Sequence, residues 1–145
     1  MEIFIRQATI NDTPEITLLS HQLGYSISEE QTMQNIKAIL GNEDHDAFVA
    51  INNGHAVGWI GVSYIIQIES PPSCEIRGLV VHEQYRKMGI GKMLIEKVKQ
   101  WCRRKGNNLL RLRCNAKRTE AHSFYLSLGF EETKQQKVFE IKLTH

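Results

Sequence analysis

The chain has 145 residues, of which 41% are hydrophobic and 23% are charged, and its formal net charge at pH 7 is +2. This composition is typical of one soluble globular domain, residues 1–145, whose core needs neither a metal nor a disulfide. It argues against a membrane protein, because no apolar run reaches the ~18 residues that a membrane span requires. The charged N-terminus does not resemble a signal peptide. We therefore expect a cytoplasmic protein without a membrane partner.

Cysteine and charge narrow the classes further. Cys74, Cys102 and Cys114 are scattered, so free thiols and no metal site are predicted. Residues 1–83 hold three basic and eleven acidic side chains, whereas residues 84–145 hold fifteen basic and five acidic ones. The basic half is either a solvated face or a surface that meets a polyanion. Because it has no recognisable nucleic-acid-binding motif, we expect no nucleic-acid partner.

Local signals predict the elements of the first half of the chain. Residues 3–9 form a first strand, and Asp12 with Glu15 is a capping box for a helix that ends at Gly24. Ser28 with Gln31 opens a second helix, which ends at Gly41. Three strands follow, and a primed turn at Asn53-Gly54 joins the first two. These strands are predicted at 47–52, 55–68 and 74–81.

Helices and strands also alternate in the second half of the chain. A third helix, from about Gly91 to Lys105, places apolar side chains on one stripe and is terminated by Gly106. Its stripe contains Leu94, Ile95, Val98, Trp101 and Cys102. A strand at 109–115, a helix at 119–128 and a closing hairpin of "FEET" and "VFEIKL" complete the chain. The order β-α-α-β-β-β-α-β-α-β-β predicts an α/β sandwich around a mixed, mostly antiparallel sheet of about seven strands.

The fourth strand leads into the loop Arg86-Lys87-Met88-Gly89-Ile90-Gly91 and then at once into the third helix. A helix N-terminus presents unpaired N–H groups and a partial positive charge, which attract anions. Glycine lacks the Cβ that would obstruct their approach, and basic side chains add charge. The loop is therefore either a phosphate site or a plain helix-entry turn. It has neither the Walker pattern nor the third glycine of a dinucleotide fingerprint.

The loop resembles the R/Q-x-x-G-x-G/A motif of the GNAT superfamily of acetyl-CoA-dependent N-acetyltransferases. The segment "RTEAHSFYLSLGF", residues 118–130, is similar to the family's segment ending in A-x-x-x-Y-x-x-x-G-F. A helix and a strand separate the two motifs, as in the family, and the order of elements matches over nearly the whole chain. Arg118 stands where many members have Asn, a variant that resembles small-amine and aminoalkylphosphonate acetyltransferases.

The resemblance implies the GNAT fold and acetyl-CoA as cosubstrate. In the family, the loop amides hold the CoA pyrophosphate, and the pantetheine arm pairs with the fourth strand. Arg118 is then expected to pair with a phosphate. Alternatively, the valines of the fourth strand are plain core residues of the sheet. The implied cofactor residues are Leu79, Val80, Val81, Arg86, Lys87, Met88, Gly89, Ile90, Gly91, Lys92, Arg118 and Phe124.

The resemblance also implies a general base on the fourth strand. An alkyl ammonium, with a pKa of ~10, must lose a proton before it can attack a thioester. Glu75 matches the family's strand glutamate, and Leu79 matches the residue whose N–H polarises the thioester carbonyl. Strand alternation would place Glu75, Arg77, Leu79 and Val81 on one face. Alternatively, Glu75 is a strand-end residue that pairs with Arg77.

Tyr125 matches the family tyrosine that stands near the CoA sulfur, which implies a general acid for the departing thiolate. Alternatively, it is a core aromatic beside Phe124 and Phe130. His82 and His122 are rival bases, although both are expected to lie outside the acceptor cleft.

The family's acceptor wall is formed by the first two helices and the tip at 67–73. Candidate acceptor residues there and on the adjoining strands are Tyr25, Glu29, Tyr64, Gln67 and Arg77. The acidity of this region suits a cationic amine, whereas an anionic acceptor would need Arg77. We predict acetyl transfer to a primary amine of a small molecule by direct attack in a ternary complex. A protein or peptide acetyltransferase, or a non-catalytic acyl-CoA-binding module, remains an alternative, and a homodimer is a candidate assembly.

Overall fold

The computed structural model describes residues 2–144, and the chain divides into two compact units. The first unit extends to Arg113 and the second begins at Cys114. The first contains β1 (Phe4–Gln7), α1 (Thr13–Gln22), α2 (Glu29–Leu40), β2 (His45–Asn52), β3 (His55–Gln67), β4 (Ser70–Val81), α3 (Ile90–Arg104) and β5 (Leu110–Leu112). The second contains α4 (Thr119–Ser127).

The five strands form one sheet in the order β1-β2-β3-β4-β5. The first four strands pair antiparallel, and β5 joins β4 in parallel through the crossover helix α3. Both the mixed, mostly antiparallel sheet and the order of elements as far as α4 agree with the predictions. None of the helices within residues 2–144 is long and apolar enough to cross a membrane.

The predicted closing hairpin is not formed. Residues 130–144 belong to neither a helix nor a strand. Val138, Phe139, Ile141 and Leu143 are 83–86% exposed, so these apolar side chains are not buried in the part of the chain that the structure describes. Because strand stability comes from cross-strand side-chain pairs and burial, the alternation alone does not produce strands here. Residues 2–144 thus contain five strands rather than about seven.

The sheet is covered by helices on both faces. One core cluster joins α1 and α2 to the strands, and it consists of Ala8, Ile16, Leu19, Ile36, Ala47, Val49, Ile51, Ala56 and Val80. Phe48, between two β2 members of that cluster, points to the other face, where Nζ of Lys97 on α3 lies 5.7 Å from its ring centroid. The predicted apolar stripe of α3 is confirmed as buried.

Two of the predicted local signals are formed as expected, and one is not. The hydroxyl of Ser28 accepts a hydrogen bond from the Gln31 N–H (3.1 Å), and the Asn53-Gly54 turn has two positive φ angles. The Asp12–Glu15 capping box is wrong, because both Asp12 oxygens accept from Arg6 at 2.8 Å. Burial opposes the ionisation of Asp12, but the hydrogen bonds from Arg6 and its other neighbours outweigh it and lower the pKa of this carboxyl.

Candidate active site

A β-bulge reshapes β4 beside the candidate base. Gly78 lies opposite Gly61, whereas Ile76 lies opposite the next residue of β3, so Arg77 is an extra residue on β4. A methyl group at Gly61 would lie 3.9 Å from Cβ of Arg77, which places both residues on one face of the sheet. This face is the one that packs against α1 and α2. Trp59 shows this, because it contacts Gly78 and also packs against the core cluster that contains Val80.

The bulge corrects one predicted arrangement. Glu75, Arg77 and Val80 lie on the α1–α2 face, whereas alternation around Val80 places Leu79 and Val81 on the α3 face. The predicted single face for Glu75, Arg77, Leu79 and Val81 is therefore wrong. The reason is physical: one inserted residue inverts the orientation of every side chain beyond it.

The edge of β4 opens next to this bulge. Strand β5 pairs with Cys74, Glu75 and Ile76, and within residues 2–144 the rest of β4 to Val81 has a strand partner only in β3. An extended ligand could therefore add to this edge through backbone hydrogen bonds. The predicted pantetheine residues Leu79, Val80 and Val81 lie along this open edge.

The loop after β4 presents a helix N-terminus to solvent. Gly89 is the N-cap residue of α3 and has φ +83°, a left-handed conformation that favours glycine. The amides of Ile90, Gly91 and Lys92 form the first helical turn and have no acceptor within the helix. The residues from Arg86 to Gly89 are exposed, so basic side chains and free amides lie together. This arrangement suits a phosphate or pyrophosphate group.

A short turn, Glu83–Tyr85, fixes the loop to three other elements. The bonds are His82 N–H to Val57 O (2.8 Å), Asn52 Nδ2 to Tyr85 Oη (3.2 Å) and Glu83 N–H to Gln22 Oε1 (3.0 Å). His82 Nδ1 also accepts from the Gln84 N–H at 3.1 Å, so this rival base already has a structural role. The anchoring holds the loop in place before any ligand binds.

We expect Gly89→Val to weaken CoA binding about tenfold or more, because a left-handed φ costs a β-branched residue ~1–2 kcal/mol and distorts the loop. The fold should persist, since a methyl group at Gly89 would meet no atom within 4 Å. Gly106→Val is the matched control: its φ is +76° with equally open space, but it lies beyond the other end of α3. Calorimetry with CoA measures both, and unchanged affinity in folded Gly89→Val would contradict the loop's role.

Glu75 is a buried carboxylate held by two arginines. Its side chain is 7% exposed; Oε2 accepts from Nη1 of Arg77, and Oε1 accepts from Nε of Arg113 at 3.0 Å. The two arginine side chains are 53% and 61% exposed. The predicted alternative, a Glu75–Arg77 pair, is thus formed. It does not exclude a catalytic role, because a carboxylate has about four acceptor positions and these two bonds use two of them.

Two buried polar groups on β3 were not predicted as candidate site residues. Ser63 lies directly opposite Glu75 on β3, is 1% exposed, and its hydroxyl has no partner among residues 2–144. The indole Nε1 of Trp59 is likewise buried and unpaired in this part of the chain. Buried polar groups without partners are rare, and they often bind water or a ligand. A lone serine within the apolar run "WIGVSYII" was the available signal.

The second unit holds Tyr125 among aromatic rings. Tyr125 lies on α4, and its ring centroid is 5.3 Å from that of Phe124 and 5.9 Å from that of Phe130. Arg118 is the N-cap residue of α4 and is exposed. His122 Nε2 lies 2.9 Å from the Asn115 carbonyl oxygen, so this second rival base also has a structural contact.

The predicted acceptor residues are dispersed. Glu29 lines an open cavity of about 470 Å³ with Glu30 and residues of the α1 entrance. Tyr25 is 54% exposed, and Oε1 of Gln67 accepts from Ser70 Oγ at 3.1 Å. Tyr64 pairs with Cys74, one position from Glu75 and on the opposite face. Of the five predicted acceptor residues, Arg77 is the one that contacts Glu75 in the described chain.

No group of three or more His, Cys, Asp or Glu within residues 2–144 could hold a metal ion. The thiols are free, and burial together with Cys102 raises the pKa of Cys74 to about 12. A neutral, buried thiol is a poor nucleophile.

The chain is similar to known N-acetyltransferases. The chain is 28% identical over 144 residues to an aminoglycoside N(6')-acetyltransferase type 1 of Stenotrophomonas maltophilia, covering 96% of this chain and 93% of that protein. It is 30% identical over 135 residues to an aminoalkylphosphonate N-acetyltransferase of Salmonella typhimurium, covering 89% and 85%. It spans 43% of an uncharacterized N-acetyltransferase of Methanocaldococcus jannaschii, with 31% identity over 98 residues that cover 66% of this chain.

A solved structure shows the same fold. The complex of an aminoglycoside N-acetyltransferase, AAC(6')-Iy, with CoA matches with a TM-score of 0.87 and 23% identity, covering 98% of this chain and 96% of that one. The predicted fold class, enzyme class and acetyl-CoA cosubstrate are confirmed. The family model described as "Acetyltransferase (GNAT) family" matches residues 11–130, so the chain belongs to the GNAT family of acetyl-CoA-dependent acetyltransferases.

Proposed function

We propose that the protein transfers the acetyl group of acetyl-CoA to a primary amine of a small molecule by direct attack in a ternary complex. The observation that carries this proposal is the arrangement along β4. One strand bears the buried carboxylate of Glu75, then an edge that has no second strand partner among residues 2–144, and it leads into the glycine loop at the start of α3. The acceptors named for two relatives, an aminoglycoside and an aminoalkylphosphonate, are small-molecule amines.

The donor would bind along this path. The pyrophosphate would accept hydrogen bonds from the amides between Met88 and Lys92, and the pantetheine arm would pair with the open β4 edge. The acetyl carbonyl would then lie near the N–H of Leu79, which stabilises negative charge on its oxygen as the amine attacks. Arg86, Lys87 and Lys92 supply cationic charge around the phosphates, and Arg118 and Phe124 are further proposed contacts.

The chemical step needs a base for the amine and an acid for the thiolate. Glu75, acting through a water molecule, would take a proton from the ammonium, and the neutral nitrogen then forms a bond to the acetyl carbon. As the tetrahedral intermediate collapses, the C–S bond breaks, Tyr125 would protonate the departing CoA thiolate, and the nitrogen would release its remaining excess proton to solvent. Because the family model spans residues of both compact units, we also propose that residues 1–145 act as one acetyltransferase domain.

A thiol-release assay with acetyl-CoA and a panel of amines tests the proposal. The panel contains alkylamines, an aminoglycoside, an aminoalkylphosphonate and a lysine-containing peptide, and mass spectrometry identifies the acetylated product. We expect release with at least one small amine to exceed acetyl-CoA hydrolysis by more than ~100-fold, which is modest for an enzyme. Turnover with the peptide alone would favour a protein acetyltransferase. CoA binding without any turnover would favour a non-catalytic module. A homodimer and a cytoplasmic location stay predictions.

A further inference from the structure

We infer that Ser63 is a positioning residue for the acetyl transfer, and that its hydroxyl holds the water molecule through which Glu75 takes a proton from the acceptor amine. The inference rests on the proposed function, in which Glu75 acts through a water, and it states where that water binds. The hydroxyl of Ser63 gives up no proton itself. It fixes the water between the buried carboxylate and the amine.

Ser63 and Glu75 are neighbours on one face of the sheet. They lie directly opposite each other in the antiparallel pair of β3 and β4, and the Cβ atoms of such residues are about 4.5–5.5 Å apart. Both are shielded from bulk solvent, since Ser63 is 1% exposed and the Glu75 side chain 7%. The register thus places one buried hydroxyl beside the proposed base.

The two side chains are close but do not bond to each other. In the described part of the chain, residues 2–144, the Ser63 hydroxyl has no hydrogen-bond partner at all. A direct bond would bring its oxygen to about 2.7 Å from the carboxylate, whereas one bridging water suits a separation of about 4 to 5.5 Å. Because an unpaired buried hydroxyl is costly and rare, a water bonded to both groups accounts for this arrangement.

The sheet has room for a water beside Ser63. Gly61 lies two residues away on β3 and on the same face. A methyl group at Gly61 would meet Cβ of Arg77 at 3.9 Å and Cζ3 of Trp59 at 4.0 Å, so a space of about that size is open. A buried water also needs two to four polar partners. Ser63, Glu75 and the incoming amine would supply three.

Each bond of the water then has a role. The water accepts from the Ser63 hydroxyl, donates to an acceptor position of Glu75 that the arginines leave open, and keeps one lone pair for the ammonium. The ammonium proton bonds to the water oxygen while another O–H bond of the water breaks and its proton passes to the carboxylate. The amine becomes a neutral nucleophile, Glu75 becomes a neutral acid, and the water is regenerated. Because Ser63 holds the water in advance, little ordering is left for the reaction step.

His45 on β2 is the neighbour of Ser63 on the other side. It lies directly opposite Ser63, so the three residues form one row across β2, β3 and β4. A water between Ser63 and His45 would also give the hydroxyl a partner, but it would not serve the base. The experiment therefore has to separate coupling to Glu75 from coupling to His45.

The test is a double-mutant cycle on one good small amine at neutral pH. Ser63→Ala should lower kcat about 3- to 30-fold, the size of one hydrogen bond, and leave the Kd for CoA unchanged. In the Glu75→Gln protein, which has no proton acceptor, the same change should cost less than about twofold. With His45→Gln, the two effects should multiply. The matched control is Ser20→Ala, which should keep the wild-type kcat, because the buried Ser20 hydroxyl already donates to the Ile16 carbonyl at 2.8 Å.

A purely structural role for Ser63 predicts different results. A wild-type kcat in Ser63→Ala, a loss that multiplies with that of Glu75→Gln, or coupling to His45→Gln overturns the inference. The melting temperature is an independent readout: removal of an unpaired buried hydroxyl should raise Tm by a few degrees, whereas removal of one that binds water should not. A raised Tm in Ser63→Ala therefore also overturns it.

The same measurements distinguish this inference from the proposed function. Full turnover by Glu75→Gln would overturn the water relay and leave acetyl transfer to a small amine intact. Failure of the wild type to acetylate any amine contradicts the proposed function itself.

Discussion

Glu75→Gln is expected to lower kcat about 100- to 10,000-fold at neutral pH, the range attributed to general base catalysis. Glutamine keeps the shape of the side chain but cannot accept the proton. The loss should diminish as pH rises toward the amine pKa of ~10, because the amine then deprotonates without help.

The measurement is a pH–rate profile of both proteins on one good amine, from pH 6 to 9. Acetyl-CoA affinity should be unchanged in Glu75→Gln, since the carboxylate is not expected to touch the phosphates. Glu96→Gln is a matched control, because Glu96 is a half-exposed acid on α3 that pairs with Lys99. If the profiles of wild type and Glu75→Gln superimpose, Glu75 is structural and the base is a histidine or solvent.

Tyr125→Phe is expected to lower kcat by roughly 10- to 10,000-fold with little change in CoA affinity, as loss of a general acid predicts. Phenylalanine retains the ring, so the packing with Phe124 and Phe130 should persist. The hydroxyl alone is removed, and with it the proton for the departing thiolate. A change in kcat/KM and kcat by similar factors would indicate an interaction made in the transition state.

This experiment requires that chemistry, rather than product release, limits the rate. A poor amine acceptor satisfies this condition, because its attack is slow. Thermal unfolding of Tyr125→Phe should stay within a few degrees of wild type, which separates catalysis from packing. Wild-type turnover under these conditions would make Tyr125 a packing residue.

Features of short range were predictable from the sequence. Ser28 caps α2 through a neighbour three residues away, and Gly106 closes α3 with a positive φ. The paired glycines at the start of α3 likewise depend only on local backbone geometry. The GNAT motifs and the order of elements then identified the fold, because the same local signals recur in a fixed sequence along the chain.

Features that depend on distant residues were not predictable in the same way. The bulge at Arg77 is defined by its register with β3, and the Glu75–Arg113 ion pair joins positions 38 residues apart. The alternation "LRLRC" indicates that Arg111 and Arg113 share one face of the strand predicted at 109–115, but it does not indicate which acid Arg113 contacts. The closing hairpin had the alternation of a strand without a neighbouring surface to bury it.

The contact between Trp59 and Gly78 couples the substitutions that these two positions on neighbouring strands can accept. Even a methyl group at position 78 would lie 2.6 Å from Cη2 and 2.8 Å from Cζ3 of the indole, well inside van der Waals contact. No side chain fits there while the indole keeps its place, and a smaller residue at 59 would leave a void above the bulge. A single substitution at either position is therefore unfavourable. Related chains that have lost the tryptophan should also have lost the glycine, so both residues beside the β4 bulge should be replaced together.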